Sequence, residues 1–166
     1  MRIAVYSGSF NPMHIGHLAI IRYMIEVAGF DMVYLIVSPK NPLKEGISSD
    51  SGRERYMAAV EAVERRFLHS GLPASGRNDR KAVEATVKVD DIELNMPEPH
   101  YTIRTLDALK EREPGNTFTL VMGADNLADI RRWRDYTRIL SEYGVAVFPR
   151  EGHDLTEIKQ DRKSVV

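Results

Sequence analysis

The sequence predicts an α/β fold, a Rossmann-like doubly wound sheet of five mainly parallel strands with helices on both faces. Two observations lead to this prediction. Short apolar runs alternate with longer segments of helical hydrophobic spacing, and this alternation is typical of a parallel sheet with crossover helices. The runs at 2–7 and 32–38 are almost continuously apolar, as expected for strands that helices cover on both faces.

The first helix is predicted between these two strands, over residues 15–29. Its apolar residues recur at helical spacing, and a glycine stands at the expected end of the helix. The face that they form consists of Leu18, Ile21, Met24, Ile25 and Ala28.

The second helix is predicted after a polar, proline-containing loop over 39–50. Ser51 and Glu54 have the spacing of a capping box, which marks a helix start. The apolar face of this helix is expected to contain Tyr56, Met57, Val60, Val63 and Phe67. The stretch 71–83 is rich in Gly, Pro, Ser and charge, and it predicts a mobile surface loop, with a linker as the alternative.

The second half of the chain continues the alternation of strands and helices. A loosely alternating pattern predicts a third strand over 85–94, and apolar residues at helical spacing predict a helix over 101–112. The remaining expected elements are a strand over 117–122, a short helix after Asp125, a helix near 136–143 and a strand over 144–148.

Composition narrows the class of protein. The 166 residues are 43% hydrophobic and 28% charged, which suits a single globular domain over 1–166. A net charge of −1 argues against a nucleic-acid partner, and no apolar run approaches the length that a membrane span needs. The absence of cysteine excludes disulfides and thiolate metal sites. No signal-peptide pattern is present, so we expect a cytoplasmic protein. The sequence does not determine whether the protein forms a homo-oligomer.

The segment 8–17, with the sequence GSFNPMHIGH, is the most informative part of the chain. It connects a predicted strand to a predicted helix, and the free N–H groups of a helix start favour phosphate. His14 and His17 can each add a hydrogen-bond donor there. The alternative is a turn in which the glycines serve only backbone geometry and the histidines are an ordinary polar pair.

Two further groups follow predicted strands, at the sheet edge where ligands bind in such folds. Lys44 ends a proline-stiffened loop and could bind a phosphate group, although a solvated surface lysine is the alternative. Gly123 permits close approach of a ligand, and Asp125 could accept hydrogen bonds from ribose hydroxyls. The alternative for Asp125 is a helix N-cap.

An aromatic residue and a helix start complete the candidates. Trp133 stands among charged residues, so it could stack on a ligand ring or cover the hydrophobic core. Thr102 is predicted to be the N-cap of the third long helix. Asp90, Asp91 and Glu93 are interpreted as solvated charges at a strand edge, and no spacing of His, Asp and Glu predicts a protein-held metal site.

In these motifs the chain resembles the nucleotidyltransferases of the His-x-Gly-His type, and among them the bacterial nicotinate-nucleotide adenylyltransferases. The resemblance runs from residue 1 to about 150. It rests on the 8–17 motif and, in order along the chain, on Asn41-Pro42-Leu43-Lys44, Tyr101-Thr102, Gly123-Ala124-Asp125 and Trp133.

The resemblance implies transfer of AMP from ATP to nicotinate mononucleotide, with Mg²⁺ carried by the ATP phosphates. His14 and His17 would stabilise charge as pyrophosphate leaves. ATP would be bound by Gly8, Ser9, Phe10, Gly16, His17, Gly123 and Asp125. The acceptor would be bound by Lys44, Tyr101, Thr102, Trp133 and Arg134.

The chain departs from this family at its C-terminal end. The family's closing Ile-Ser-x-Thr-x-Ile-Arg type motif has no counterpart, and we expect the domain to be truncated or altered after about residue 160. Two alternatives therefore stay open. One is a related transferase whose acceptor is phosphopantetheine or nicotinamide mononucleotide, and the other is an ATP-binding fragment with little turnover.

Overall fold

Five strands form one parallel sheet in the computed structural model, which describes residues 1–10, 13, 15–39, 49–70 and 86–148. The strand order is β3-β2-β1-β4-β5, and each neighbouring pair is parallel. The predicted parallel α/β sheet is therefore confirmed. The strands are β1 Arg2–Gly8, β2 Met32–Val37, β3 Val87–Asp90, β4 Thr117–Gly123 and β5 Val145–Phe148.

Helices connect these strands. Short 3₁₀ turns occur at Ile92–Asn95 and Ile130–Arg132, and a π-helical turn at Ile139–Tyr143 directly continues the last helix. The helices are α1 Ile15–Glu26, α2 Ser49–Ser70, α3 Thr102–Arg112, α4 Ala124–Ala128 and α5 Tyr136–Arg138.

The sheet separates two hydrophobic cores, because successive side chains of a strand point to opposite faces. Ala4 and Tyr6 of β1 belong to the core that includes buried residues of α1 and α2. Ile3 and Val5 belong to the other core, which includes buried residues of α3. Helices on both faces explain why the central strands are apolar along their whole length.

The largest differences between predicted and observed boundaries occur in α1, in α2 and in the third strand. α1 ends at Glu26, because the Ala28 N–H donates to the Tyr23 carbonyl at 2.9 Å instead of continuing the helical pattern, and Gly29 then turns the chain with a φ of +77°. α2 begins at Ser49, so Ser51 lies inside its first turn and the predicted capping position is wrong. The third strand ends at Asp90 because its carboxylate accepts a hydrogen bond of 3.0 Å from the Ile92 N–H, which begins the 3₁₀ turn.

The sheet topology determines where a ligand can bind. From β1 the chain extends the sheet through β2 and β3 on one side, then through β4 and β5 on the other. Ligands in doubly wound sheets bind at the carboxyl ends of the strands where this direction changes. In this protein that point lies between the ends of β1 and β4, at Gly8 and Gly123.

Candidate active site

Three loops were expected to converge at this edge of the sheet. Gly8 and Gly123 lie at the ends of neighbouring strands, and Ser38 donates its backbone N–H to the Gly8 carbonyl at 2.9 Å. The loop after β1, the turn after β4 and the beginning of the loop after β2 are therefore adjacent. The rest of the last loop, with Lys44, lies outside the described residues, as do His14, the stretch 71–83 and the C-terminal residues from 149.

Phe10 shapes the loop after β1. Its φ is +47°, an uncommon value for a residue other than glycine, and its side chain is only 3% exposed. The ring packs edge-on against Tyr6, with 5.4 Å between ring centroids. A Cβ at Gly8 would lie 3.3 Å from Cζ of Phe10, so the glycine makes room for this ring. Phe10 therefore faces the core, and its ring is not exposed to a ligand at this edge.

His17 lies in the first turn of α1 and is held by these aromatic rings. Its ring centroid is 5.1 Å from that of Phe10 and 6.2 Å from that of Tyr6. Burial raises the pKa of Tyr6 to about 12, so the phenol stays neutral at physiological pH. Gly16 precedes His17 and is exposed. The half-buried imidazole is thus positioned by packing at a helix start, where backbone N–H groups also favour an anion.

The turn after β4 presents a carboxylate. Gly123 occupies the cap position of α4, so Asp125 lies inside the first turn and is exposed. The N-cap alternative for Asp125 is therefore wrong. A Cβ at Gly123 would lie 3.4 Å from the Phe148 ring, which is an ordinary contact distance.

The start of α3 forms a second candidate subsite. Tyr101 occupies the cap position and Thr102 is the first helical residue, so the prediction of Thr102 as the N-cap is wrong. No side chain caps this helix start, which leaves the first N–H groups to a ligand or water. The Arg134 guanidinium lies over the Tyr101 ring at 4.9 Å, and a side-chain hydrogen bond with Tyr101 raises the pKa of Arg134. The exposed Arg134 thus adds positive charge beside the uncapped helix start.

Trp133 packs against the hydrophobic core and also keeps part of its surface accessible, so each of its two predicted roles is compatible with its position. It is half-buried and packs against the core on the α3 side of the sheet, which includes Ile103 and Ile130. The rest of its surface remains accessible, next to Arg134. The ring is therefore anchored on the core and leaves part of its surface for a ligand.

A buried carboxylate near these subsites was not expected. Glu93 is 5% exposed, so its interpretation as a solvated charge is wrong. The Thr105 hydroxyl donates to its carboxylate at 2.8 Å, and the Ser38 hydroxyl also donates to it. Burial raises the pKa of Glu93, and the hydrogen bond from Thr105 offsets part of that shift. Glu93 thus connects the end of β2 to the first turns of α3.

Asp90 is also buried, at 2% exposure, and its interpretation as a solvated charge is wrong as well. Arg112 donates to both carboxylate oxygens of Asp90, at 3.2 and 2.6 Å. Nζ of Lys88 lies 3.4 Å from Oδ2 of Asp90. Burial disfavours the charged form, but hydrogen bonds from Arg112 outweigh this effect and lower the pKa of Asp90. Nothing in the local sequence indicates this pair, because its members lie on different elements.

The described residues show neither a metal cluster nor a membrane span. In this part of the chain, no group of three or more His, Cys, Asp or Glu side chains could hold a metal ion. None of the helices in the same ranges is both long and apolar enough to cross a bilayer.

Comparison with known proteins identifies the family to which the chain belongs. A cytidylyltransferase-like family model matches residues 5–165. The chain is 35% identical over 150 residues to a probable nicotinate-nucleotide adenylyltransferase of Flavobacterium johnsoniae, covering 90% of this chain and 68% of the relative. It is 36% identical over 154 residues to a protein of the same description from Flavobacterium psychrophilum, covering 93% and 70%.

A solved structure supports the fold. It is a nicotinic acid mononucleotide adenylyltransferase of Plasmodium falciparum in complex with NaAD. It superposes with a TM-score of 0.68 at 18% identity, over 96% of this chain and 70% of the other. The chain belongs to the cytidylyltransferase-like family and, through its identity to the Flavobacterium relatives, to the nicotinate-nucleotide adenylyltransferases within it.

Proposed function

We propose that the protein transfers AMP from ATP to nicotinate mononucleotide, giving nicotinate adenine dinucleotide and pyrophosphate. One observation carries the proposal. The helix start that holds His17 and the turn that holds Asp125 lie at the ends of neighbouring strands, at the point where the sheet changes direction. The membership of the family and the names of its relatives support the choice of reaction and substrates.

On the ATP side, the site stabilises charge. An oxygen of the acceptor phosphate attacks the α-phosphorus in line, and the bond from that phosphorus to the bridging oxygen of pyrophosphate breaks. No covalent enzyme intermediate forms. His17, with His14, donates hydrogen bonds to the phosphates as negative charge develops on the leaving group. The backbone of Gly8–Phe10 and Gly16 lines the phosphates, and Asp125 accepts from the ribose.

On the acceptor side, the site recognises a pyridine ring with a carboxylate. Trp133 stacks on the ring, and the uncapped N–H groups at Thr102 receive the carboxylate. Arg134, held on the Tyr101 ring, provides positive charge that favours a carboxylate over an uncharged amide. Lys44 binds the acceptor phosphate.

Nucleotidyltransferases of this family generally use a divalent metal ion with ATP. The exposed carboxylate of Asp125 and the Ser7 and Ser38 hydroxyls are oxygen donors of the kind that Mg²⁺ accepts. They do not form a three-carboxylate cage, which fits an ion that arrives on the ATP phosphates. When bound, Mg²⁺ would neutralise phosphate charge, while the residues above orient the two substrates.

Two parallel measurements test the proposal against a nucleotide-binding fragment. Calorimetry measures binding of ATP, and a turnover assay with ATP and nicotinate mononucleotide follows pyrophosphate and the dinucleotide product. We expect both binding and stoichiometric formation of the two products. Binding of ATP without turnover would contradict the proposal and favour the fragment.

A cytoplasmic location and the absence of nucleic-acid and membrane partners remain predictions. Whether the protein forms a homo-oligomer is left open.

A further inference from the structure

Arg55 of α2 is a buried cation that reaches two loops of the site. It is 8% exposed, and its guanidinium donates to three backbone carbonyl oxygens. Nη1 donates to Ser9 at 3.0 Å and to Ser38 at 2.7 Å, and Nη2 donates to Pro39 at 3.1 Å. Ser9 follows β1, whereas Ser38 and Pro39 follow β2. One side chain therefore connects the loop assigned to ATP with the loop assigned to the acceptor phosphate.

This contact depends on the shape of the guanidinium group. Arginine presents its donors in a rigid planar fork, whereas lysine has a single ammonium at the end of a flexible chain. A buried charge is costly unless polar groups compensate it, and burial lowers the pKa of Arg55. Three carbonyl dipoles supply compensation, so displacement of either loop would leave a buried charge with fewer partners. A change in the separation of the two loops would therefore raise the free energy of the folded protein, because the buried guanidinium would lose hydrogen bonds.

We propose that Arg55 is a positioning residue that sets the separation of the ATP loop and the acceptor loop. It acts through the backbone carbonyls of residues 9, 38 and 39 and does not itself contact a substrate. Correct separation places the acceptor phosphate in line with the α-phosphorus. The inference rests on the proposed function, since the two loops are assigned to the two substrates there.

A positioning role predicts a particular kinetic signature. Each loop can still bind its own substrate when the separation changes, but the reacting atoms no longer align. A misplacement of about 1 Å can lower a rate about 100-fold. Loss of the fork should therefore lower kcat much more than it changes the KM values.

The experiment compares Arg55→Lys and Arg55→Met with Arg53→Lys as a matched control. Arg53 lies on the same helix, is exposed, and pairs with Asp91 at 2.9 Å. Arg55→Lys keeps charge and length, so it remains informative if Arg55→Met does not fold. At a temperature where melting curves show each variant folded, we expect kcat of Arg55→Lys to fall about 100-fold. The KM values and the Kd for ATP alone should stay within about threefold, and Arg53→Lys should match the wild type.

Amide hydrogen exchange gives a readout that does not depend on turnover. We expect faster exchange in segments 7–10 and 37–39 of Arg55→Lys, and unchanged exchange there in Arg53→Lys. A kcat within twofold of wild type, or unchanged exchange in both segments, would overturn the inference. An inactive wild type would instead contradict the proposed function, and the exchange comparison would still decide whether Arg55 holds the loops.

Discussion

At the scale of single residues, the site is built on aromatic packing beneath polar groups. Phe10 takes an uncommon backbone conformation and buries its ring beside Gly8, and His17 lies against that ring and Tyr6. The histidine is therefore positioned by the packing of buried aromatic side chains. Such preorganisation matters for catalysis, because donors that are already in place need no reorganisation during the reaction.

His17→Ala is predicted to lower turnover at least about tenfold, because a donor to the phosphates is lost. His17→Phe serves as the matched control for packing, since it keeps a ring against Phe10 but cannot donate. We expect both variants to lose activity to a similar extent in a pyrophosphate-release assay. Turnover like that of the wild type in His17→Ala would refute the role of this histidine.

Glu93 gives a prediction for stability as a function of pH. Its pKa in the folded protein is raised above the ordinary value of 4.5, so the folded state favours the protonated form. The stability that this carboxyl contributes is full below about pH 4.5 and decreases as pH rises through the raised pKa. Glu93→Gln keeps an acceptor for the Thr105 hydroxyl and removes the titration.

Denaturant unfolding of the wild type and Glu93→Gln between pH 4 and 7 tests this sign. We expect the free energy of unfolding of the wild type to fall relative to the variant as pH increases. A difference between the two proteins that is independent of pH would show that Glu93 titrates like a solvated carboxylate.

At the scale of elements, regular patterns were predictable and element ends were not. β1, β2 and the apolar face of α1 follow from local sequence, because burial on both faces or on one face leaves a periodic signature. The ends depend on single interactions. Asp90 ends β3 through a hydrogen bond to the Ile92 N–H, and Tyr101 takes the cap position of α3.

Gly144 shows how one residue can determine the geometry between two elements. It joins the π-helical turn to β5 with φ +81° and ψ 164°, a conformation that is essentially restricted to glycine. Gly144→Ala is predicted to reduce the free energy of unfolding by about 2 kcal/mol.

Gly115→Ala is the matched control for this substitution. A Cβ at Gly115 would meet no atom within 4 Å, and its φ lies outside the left-handed region. Denaturant unfolding should show little change for this variant. Equal stability of the two variants would contradict the argument from backbone conformation.

At the scale of the whole molecule, sheet topology brings together residues that are far apart in sequence. The ends of β1, β2 and β4 meet at one edge of the sheet. The motifs near residues 8, 40 and 123 follow these three strands in the sequence, so their convergence could be predicted from the alternation of strands and helices. The burial of Asp90 and Glu93, and the bridge made by Arg55, could not be predicted in this way. Their partners are distant residues or backbone carbonyls, which leave no local pattern.

Under the proposed function, this edge of the sheet selects nicotinate mononucleotide as the acceptor of AMP. The most direct test is kcat/KM for nicotinate mononucleotide, nicotinamide mononucleotide and phosphopantetheine, measured by pyrophosphate release at saturating ATP. A site built to bind the carboxylate should discriminate against the amide by roughly 100-fold or more, because its donors and positive charge would be left without a partner. We predict the highest kcat/KM for nicotinate mononucleotide, and a preference for phosphopantetheine or equal use of the two mononucleotides would contradict this selectivity.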